Sequence, residues 1–293
     1  MINIESLKKL KANKQYYCLV AGLPELGQKA TAVELNFAEL RAEIQEEVSR
    51  GDRETLALLY TFYDILNIVN KIHGTDLPHN SLGNLSSEQL VLEIEDQADD
   101  SFVSGLPVEL ARVLENYKEG EAQEIEDDRQ AVTLETLESE LWQCYYRLAA
   151  RSSCRFIRLW SATDRSMRNV IAAEKARLLG VDPVQVMVGG GDVVEQIASS
   201  TAADFGLRGE FEYIEELLDV TSTVDFVERE HKMDQLRWSI AEELSEQNYF
   251  DINFLGAYLV RLNILERWSS LSKSSGESRF RQIVESFTSQ VEL

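Results

Sequence analysis

The sequence is poor in helix-breaking proline and in the residues that most often build catalytic and metal sites. Its 293 residues include only four prolines, three cysteines and three histidines. Because proline in a helix interior costs roughly 3 kcal/mol, so few prolines are typical of a helical protein. Hydrophobic residues make up 44% of the chain, enough for a core, so we predict an all-α protein.

The cysteines and the apolar runs are too few for a disulfide framework or a membrane span. Cys18, Cys144 and Cys154 are odd in number, and their spacing fits no zinc or redox motif, so we expect reduced thiols. No apolar run approaches the roughly 18 to 20 residues that cross a bilayer, and the opening residues lack the apolar core of a signal peptide. These features predict a cytoplasmic protein without direct membrane insertion.

Positive charge is also scarce, because 29 Lys and Arg stand against 51 Asp and Glu. The resulting net charge of −22 argues against nucleic acid as a main partner, since a polyanion is repelled at long range. It disfavours direct attachment to an anionic membrane for the same reason.

The sequence offers no convincing catalytic or cofactor-binding motif. His73, His79 and His231 have no partner at the spacing of metal ligands, and no nucleophile stands beside a base. Gly189–Gly191 precedes a predicted helix, but the Lys-Ser/Thr of a phosphate-binding loop is missing, so we predict a simple connection. We therefore expect no catalytic residue, no metal and no cofactor.

A metal-dependent hydrolase remains the enzymatic alternative, because helical carboxylates at three-residue spacing hold Mg²⁺ in all-α nucleotide pyrophosphohydrolases. In a chain with 51 acids such spacing arises easily by chance, so we expect solvated helix faces. The carboxylates with suitable spacing are Glu43, Glu46, Glu47, Glu93, Asp96, Asp99 and Asp100.

Apolar periodicity predicts a series of helices separated by short connections. The first pair covers Val33–Arg50, with Gly51 as its stop, and Asp52–Ile72. Ser86 and Gln89 have the spacing of a capping box, and the apolar run 16–23 fits either a strand or a helix start. Further helices are predicted after Pro107 and at 192–200, 210–219, 223–247, 251–268 and 277–290.

The stretch from Thr133 to Gly180 contains no proline and no glycine before its end. It predicts one very long helix, or two coaxial ones, between Thr133 as N-cap and Gly180 as left-handed stop. At 1.5 Å per residue this would span about 70 Å, more than a compact domain, so we expect a break near Ser152-Ser153 or Ser161.

A stripe of arginines follows this stretch beside its apolar stripe. Between positions 147 and 177 there are eight Lys or Arg and only two acids, in a chain that is otherwise strongly acidic. The stripe faces either the protein's own acidic segments or a partner. The candidate interface residues are Arg147, Arg151, Arg155, Arg158, Arg165 and Arg168.

Three segments resemble known sequences. Asp164 and Asn169, followed by the run 173–180, and Tyr249–Ile252, followed by 256–264, resemble the C subunit of archaeal and V-type rotary ATPases, which is called subunit d in the eukaryotic enzyme. The opening Tyr16–Pro24 resembles an uncharacterised bacterial family associated with V-type ATPase operons.

This resemblance implies a funnel-like protein of three helical lobes, placed here at 1–85, 86–180 and 181–293 of a single all-α domain. It implies a non-catalytic rotor cap that links the central stalk to the membrane rotor ring for ATP-coupled ion transport. The implied partners are central-stalk subunits and proteolipid ring subunits, and the implied location is peripheral to the inner membrane. A stand-alone helical scaffold is the competing hypothesis.

Overall fold

The computed structural model describes residues 15–27, 35–94, 104–123 and 134–270. These ranges contain eleven α-helices, one 3₁₀ turn and no strand, so the prediction of an all-α protein is confirmed. No described helix is both long and apolar enough to cross a membrane. The helices are α1 Tyr17–Gly22, α2 Phe37–Glu47, α3 Arg50–Ile72, α4 Ser87–Ile94, α5 Val108–Gln123, α6 Leu134–Ala150, α7 Arg155–Leu179, α8 Asp192–Ser199, α9 Ile214–Ser222, α10 Phe226–Ser245 and α11 Ile252–Ser270.

The chain divides into two compact units. A terminal unit combines Met1–Ser49 with Trp238–Leu293, and a central unit comprises Arg50–Arg237, so the boundary falls within α10. These boundaries differ from those of the lobes 1–85, 86–180 and 181–293, which stay a prediction. The predicted helix at 277–290 lies outside the described residues.

Local sequence signals explain where several helices begin. Ser86 and Gln89 form the predicted capping box: the Gln89 amide donates to Ser86 Oγ (3.2 Å) and the Ser86 amide to Gln89 Oε1 (2.9 Å). At α2, the Asn36 side chain accepts a hydrogen bond from the Glu39 amide at 3.2 Å. The prediction that Gly51 ends the first long helix is wrong, because α2 ends at Glu47 and Gly51 lies inside the first turn of α3.

Between Thr133 and Gly180 the predicted break is confirmed, whereas the prediction of one long helix or two coaxial helices is wrong. The helical run is interrupted at residues 151–154, which include the serine pair Ser152-Ser153. After this break α7 runs antiparallel to α6 and packs against it, so the two helices are not coaxial. The reason is burial: a continuous rod would leave the apolar stripes of both helices in water, whereas folding back buries them. Gly180 ends α7 in the left-handed conformation (φ 68°), as predicted, and Thr133 lies outside the described residues.

The core of the central unit is formed by α3, α5 and α6 around Trp142. The indole is 1% exposed, and the Phe62 and Tyr146 rings lie 5.1 and 6.2 Å from it. Aliphatic side chains such as Ile68 and Leu110 complete the cluster, and each is fully buried. A buried side chain of this size contributes about 1.5–3 kcal/mol, so this cluster holds the α6–α7 hairpin to α3.

In the terminal unit, described residues from the early and the late part of the chain pack together. Arg41 on α2 forms an ion pair with Glu266 on α11. The Tyr16 amide donates to the Phe250 carbonyl at 2.6 Å, and Tyr258 Oη donates to the Pro24 carbonyl at 3.1 Å. Two of the resemblance segments, more than 200 positions apart in sequence, are therefore neighbours in space. The run 16–23, left open between strand and helix, contains helix α1.

Candidate functional site

The antiparallel α6–α7 hairpin carries the arginines that the sequence singled out. Its two helices are joined by buried and half-buried polar contacts. Tyr146 Oη donates to Asp164 Oδ2 at 2.7 Å, and Arg168 forms an ion pair with Glu138 at 3.4 Å while its guanidinium lies 3.9 Å from the centre of the Trp142 ring. These contacts fix the hairpin and therefore the position of its connecting turn.

Three of the six predicted interface arginines are half-buried and serve the protein's own structure. Arg168 forms the ion pair with Glu138 described above. Arg165 packs against Gly189: a Cβ atom added to this glycine would lie 3.3 Å from the Arg165 guanidinium. Arg158 donates to the Ser152 carbonyl (2.6 Å) and to the Ser153 carbonyl (3.0 Å), so it satisfies backbone groups of the connecting turn. For these three, internal packing is the role that the contacts support.

The other three, Arg147, Arg151 and Arg155, are exposed, and we call them the basic apex. Arg147 and Arg151 are four residues apart at the end of α6, and Arg155 is the first residue of α7. All three therefore surround one turn. Within the described ranges, neither Arg151 nor Arg155 forms an ion pair with an acid.

Beneath the basic apex the thiol of Cys144 is buried. Burial raises its pKa, and a hydrogen bond to Arg147 opposes this rise. The charge of Glu109 on α5 adds to the rise in the pKa of Cys144. The thiol is therefore kept in its neutral form and is a poor nucleophile.

Asp164 and Asn169, two residues of the first resemblance segment, are both buried. Asp164 accepts from Tyr146, and burial together with the nearby Asp164 charge raises the pKa of Tyr146, so the phenol stays protonated. Asn169 exchanges two hydrogen bonds with the backbone of Val188, at 2.8 and 3.0 Å. Asp164 therefore contacts α6, whereas Asn169 contacts the connection that precedes α8.

Arg237 is half-buried and lies 3.6 Å from the buried carboxylate of Asp234. Burial lowers its pKa, but the charges of Asp164 and Asp234 more than offset this, so the net pKa of Arg237 is raised. The buried charges are therefore compensated within the central unit.

The carboxylates considered as Mg²⁺ ligands do not form a common site among the described residues. Among the described residues, no three His, Cys, Asp or Glu side chains are grouped as a metal site requires. Glu93 is buried and accepts from Ser104 Oγ (2.9 Å) and the Gly105 amide (2.7 Å), so its carboxylate is engaged in internal hydrogen bonds. Glu43, Glu46 and Glu47 are exposed on α2, whereas Asp96, Asp99 and Asp100 lie outside the described residues.

The histidines and the glycine run have local roles. His73 Nε2 lies 3.5 Å from Glu138, His79 Nε2 lies 3.1 Å from the Leu85 carbonyl oxygen, and His231 pairs with Gln235 on the same helix. Gly189 and Gly191 adopt positive φ angles of 80° and 101° in the connection that leads into α8. Such angles favour glycine, so the run is explained by its backbone conformation.

Sequence reasoning missed the exposed aromatic side chains of the terminal unit. Tyr17 and Tyr249 are 59% and 67% exposed, and Phe250, at 37%, has its ring 4.9 Å from that of Tyr17. A signal was available, because all three residues stand inside two of the resemblance segments. The sequence shows an apolar run at 16–23 and a helix start near 251, but it does not show which of their side chains stay exposed to solvent.

Comparison with known protein families gives a match that covers most of the chain. A family model described as "Protein of unknown function (DUF2764)" matches residues 13–291. No curated protein matches the chain.

Proposed function

The chain belongs to the DUF2764 family of proteins of unknown function, and we propose that it is a non-catalytic coupling subunit of a V-type rotary ATPase. In this role it links the central stalk to the membrane rotor ring during ATP-coupled ion transport. Its partners are central-stalk subunits and the proteolipid subunits of the ring, and its place is at the cytoplasmic side of the inner membrane, held there by the complex. The partners come from the sequence resemblance.

The observation that carries the proposal is the basic apex. In a chain of net charge −22, three exposed arginines surround one turn of a braced hairpin. Guanidinium groups bind carboxylates with two parallel hydrogen bonds, so the apex fits an acidic surface of a stalk subunit. Charge complementarity of this kind steers docking and sets its orientation.

The first experiment purifies the tagged protein from native membranes in mild detergent and identifies its companions by mass spectrometry. We expect ring and stalk subunits to co-purify. Recovery of the protein alone, with those subunits present in the same extract, would contradict the proposal and favour a stand-alone scaffold.

The second experiment tests the apex itself with Arg147→Glu, Arg151→Glu and Arg155→Glu combined. We expect the yield of stalk subunits to fall at least about tenfold, because each reversal replaces attraction by repulsion. The matched control reverses the same number of exposed charges elsewhere in the central unit, with Arg50→Glu, Arg53→Glu and Lys71→Glu. An equal loss in both variants, with unchanged circular dichroism, would show a general charge effect and remove the apex from the proposal.

A further inference from the structure

The end of α7 and the 3₁₀ turn Pro183–Gln185 that follows it expose a group of aliphatic side chains. Two of them, on the last turn of the helix, are 87% and 78% exposed, and the other three are 40–54% exposed. Single apolar side chains are common on protein surfaces, whereas a contiguous exposed group is typical of an interaction site. We call this group, which lies within nine consecutive positions, the aliphatic surface: Leu178, Leu179, Val181, Val184 and Val186.

The backbone that carries the aliphatic surface is held by hydrogen bonds along its length. The Val181 amide donates to a carbonyl in the last turn of α7 at 2.9 Å. The Asp182 carboxylate accepts from the Val184 amide at 3.0 Å, and the Val188 amide donates to Asn169 Oδ1 at 2.8 Å. Because the backbone is already fixed, a partner that covers these side chains restricts little further motion.

The stretch around the aliphatic surface carries no net charge, although the chain as a whole carries −22. Two basic residues stand against two acids within 174–191. One residue of each sign is engaged within the chain: Arg177 donates to the Ala202 carbonyl at 2.7 Å, and Asp182 caps the 3₁₀ turn. The surface therefore offers apolar contact without a dominant charge of either sign.

We propose that the aliphatic surface is a contact between two copies of this chain related by a twofold axis. In such a contact each surface meets its own equivalent, so an apolar surface without net charge is complementary to itself. Contacts through the acidic parts of the chain would instead bring like charges together. Anionic lipid is repelled by the negative charge of the chain as a whole.

The composition of this region fits the centre and rim of a protein–protein interface. Each partner in a standard interface buries about 800 Å², with an apolar centre and a polar rim. Two copies would bring ten aliphatic side chains to the centre. Helix α8, which packs against the 3₁₀ turn, adds Asp192 and Glu195 in its first turn. Because two acidic copies also repel each other, we expect a dissociation constant in the micromolar range.

The aliphatic surface is separate from the basic apex. Arg155 is the first residue of α7 and Leu179 is the last, so at 1.5 Å per residue their backbones lie roughly 36 Å apart. The pairing of two copies therefore does not rest on the proposed rotary-ATPase role. Loss of self-association and loss of stalk binding can be measured separately.

The test measures the mass of the purified full chain by sedimentation equilibrium, from about 1 to 100 µM protein and at about 50 and 500 mM NaCl. We expect a monomer–dimer equilibrium whose dissociation constant is at least about threefold lower at the higher salt. Salt screens the repulsion between two acidic copies, whereas apolar contacts do not depend on charge. A contact between the basic apex and acids of a second copy would weaken with salt instead.

Two double variants test whether the aliphatic surface forms the contact. Leu178→Ser with Leu179→Ser should raise the dissociation constant of the dimer at least about tenfold. The matched control, Val224→Ser with Phe226→Ser, changes side chains at the start of α10 that are 96% and 64% exposed, and should leave the constant unchanged. If the first variant fails to fold, judged by its thermal midpoint, Val184→Ser replaces it.

Several results would overturn the inference. A wild type that stays monomeric at the highest concentration in both salts would remove the second copy as the partner. A dimer that weakens with salt, or that persists in the Leu178/Leu179 variant, would assign the contact to other residues. An equal loss in the Val224/Phe226 control would show a general effect of exposed apolar side chains. Binding to vesicles of phosphatidylcholine and phosphatidylglycerol that is lost in the Leu178/Leu179 variant would assign the surface to a membrane.

Discussion

Asp64 on α3 organises the loop before α4. It is buried and accepts hydrogen bonds from Asn84 Nδ2 (2.7 Å) and from the Leu85 amide (3.0 Å). Asn67, on the next turn of α3, exchanges hydrogen bonds of 2.8 and 3.0 Å with the Asn80 backbone. The two side chains therefore tie the loop to the core, because an unpaired backbone group at such depth would cost about 1–3 kcal/mol.

Asp64 gives the stability of the protein a pH dependence of known sign. Burial raises its pKa above the usual 3.8, and the hydrogen bonds from Leu85 and Asn84 offset only part of this rise. Between 3.8 and the raised value the folded state binds more protons than the unfolded state, so this contribution to stability falls as pH rises. The substitution Asp64→Asn removes this pH-dependent contribution, because an amide does not titrate. We expect the free energy of unfolding of Asp64→Asn, relative to wild type, to increase between about pH 4 and pH 7.

Denaturant titrations at several pH values measure this difference, and comparison with the wild type cancels the other titrating groups. A relative stability that stayed constant, or that decreased with pH, would contradict the raised pKa of Asp64. The variant also exchanges one acceptor oxygen for a donor opposite Asn84, which shifts the whole curve without changing its slope.

The arginines of the α6–α7 hairpin have different roles that depend on their surroundings in the fold. Their positions in the sequence do not predict these roles. Arg158 and Arg155 are three positions apart in the same stripe. Arg158 donates to two carbonyls of the turn, whereas Arg155 is exposed. Helical spacing places both on a similar face, but only the fold-back of α7 on α6 decides which of them meets backbone. The sequence alone therefore did not distinguish the three arginines that make internal contacts from the three that are exposed.

At the scale of elements, two glycines near helix ends have opposite requirements. Gly180 ends α7 at φ 68°, where a side chain costs roughly 1–2 kcal/mol. Gly51 lies in the first turn of α3, without a positive φ and with no atom within 4 Å of an added Cβ. We expect Gly180→Ala to lower the free energy of unfolding by about 1 kcal/mol and Gly51→Ala to raise it by about 0.5–1 kcal/mol.

Chemical denaturation of the two variants, measured in parallel with the wild type, tests this pair. If Gly51→Ala lowered the free energy of unfolding, Gly51 would need a left-handed conformation, as expected of a residue that ends a helix. An unchanged midpoint for Gly180→Ala would mean that the end of α7 tolerates another conformation.

The helix pattern was predictable because it depends on signals within a few residues. The Ser86–Gln89 capping box, the stop at Gly180 and the break at the serine pair are all local. The direction of α7 after the break depends on which apolar surface it buries, and that partner lies elsewhere in the chain. For the same reason no local signal showed that segments 16–24 and 249–264 meet.

At the scale of the whole molecule, the terminal unit joins residues that are more than 200 positions apart in the chain. Arg41 and Glu266 are 225 positions apart, and Arg41 Nη2 donates to Glu266 Oε1 at 2.9 Å while its Nη1 contacts the other carboxylate oxygen. Their side chains are only 17% and 29% exposed, so solvent screens the pair less than a surface pair. We expect a double-mutant cycle of Arg41→Ala and Glu266→Ala to give a coupling energy of about 1–2 kcal/mol.

Arg50 and Glu54 provide the matched control, because they form an ion pair of 2.9 Å within one helix and are 92% and 65% exposed. Their cycle should give no more than about 0.5 kcal/mol. The contrast matters because closing so long a stretch of chain has an entropic cost that only contacts between its ends can offset. Equal coupling in the two cycles would mean that Arg41 and Glu266 do not hold α2 to α11. The apolar contacts of the two helices would then have to close the terminal unit on their own.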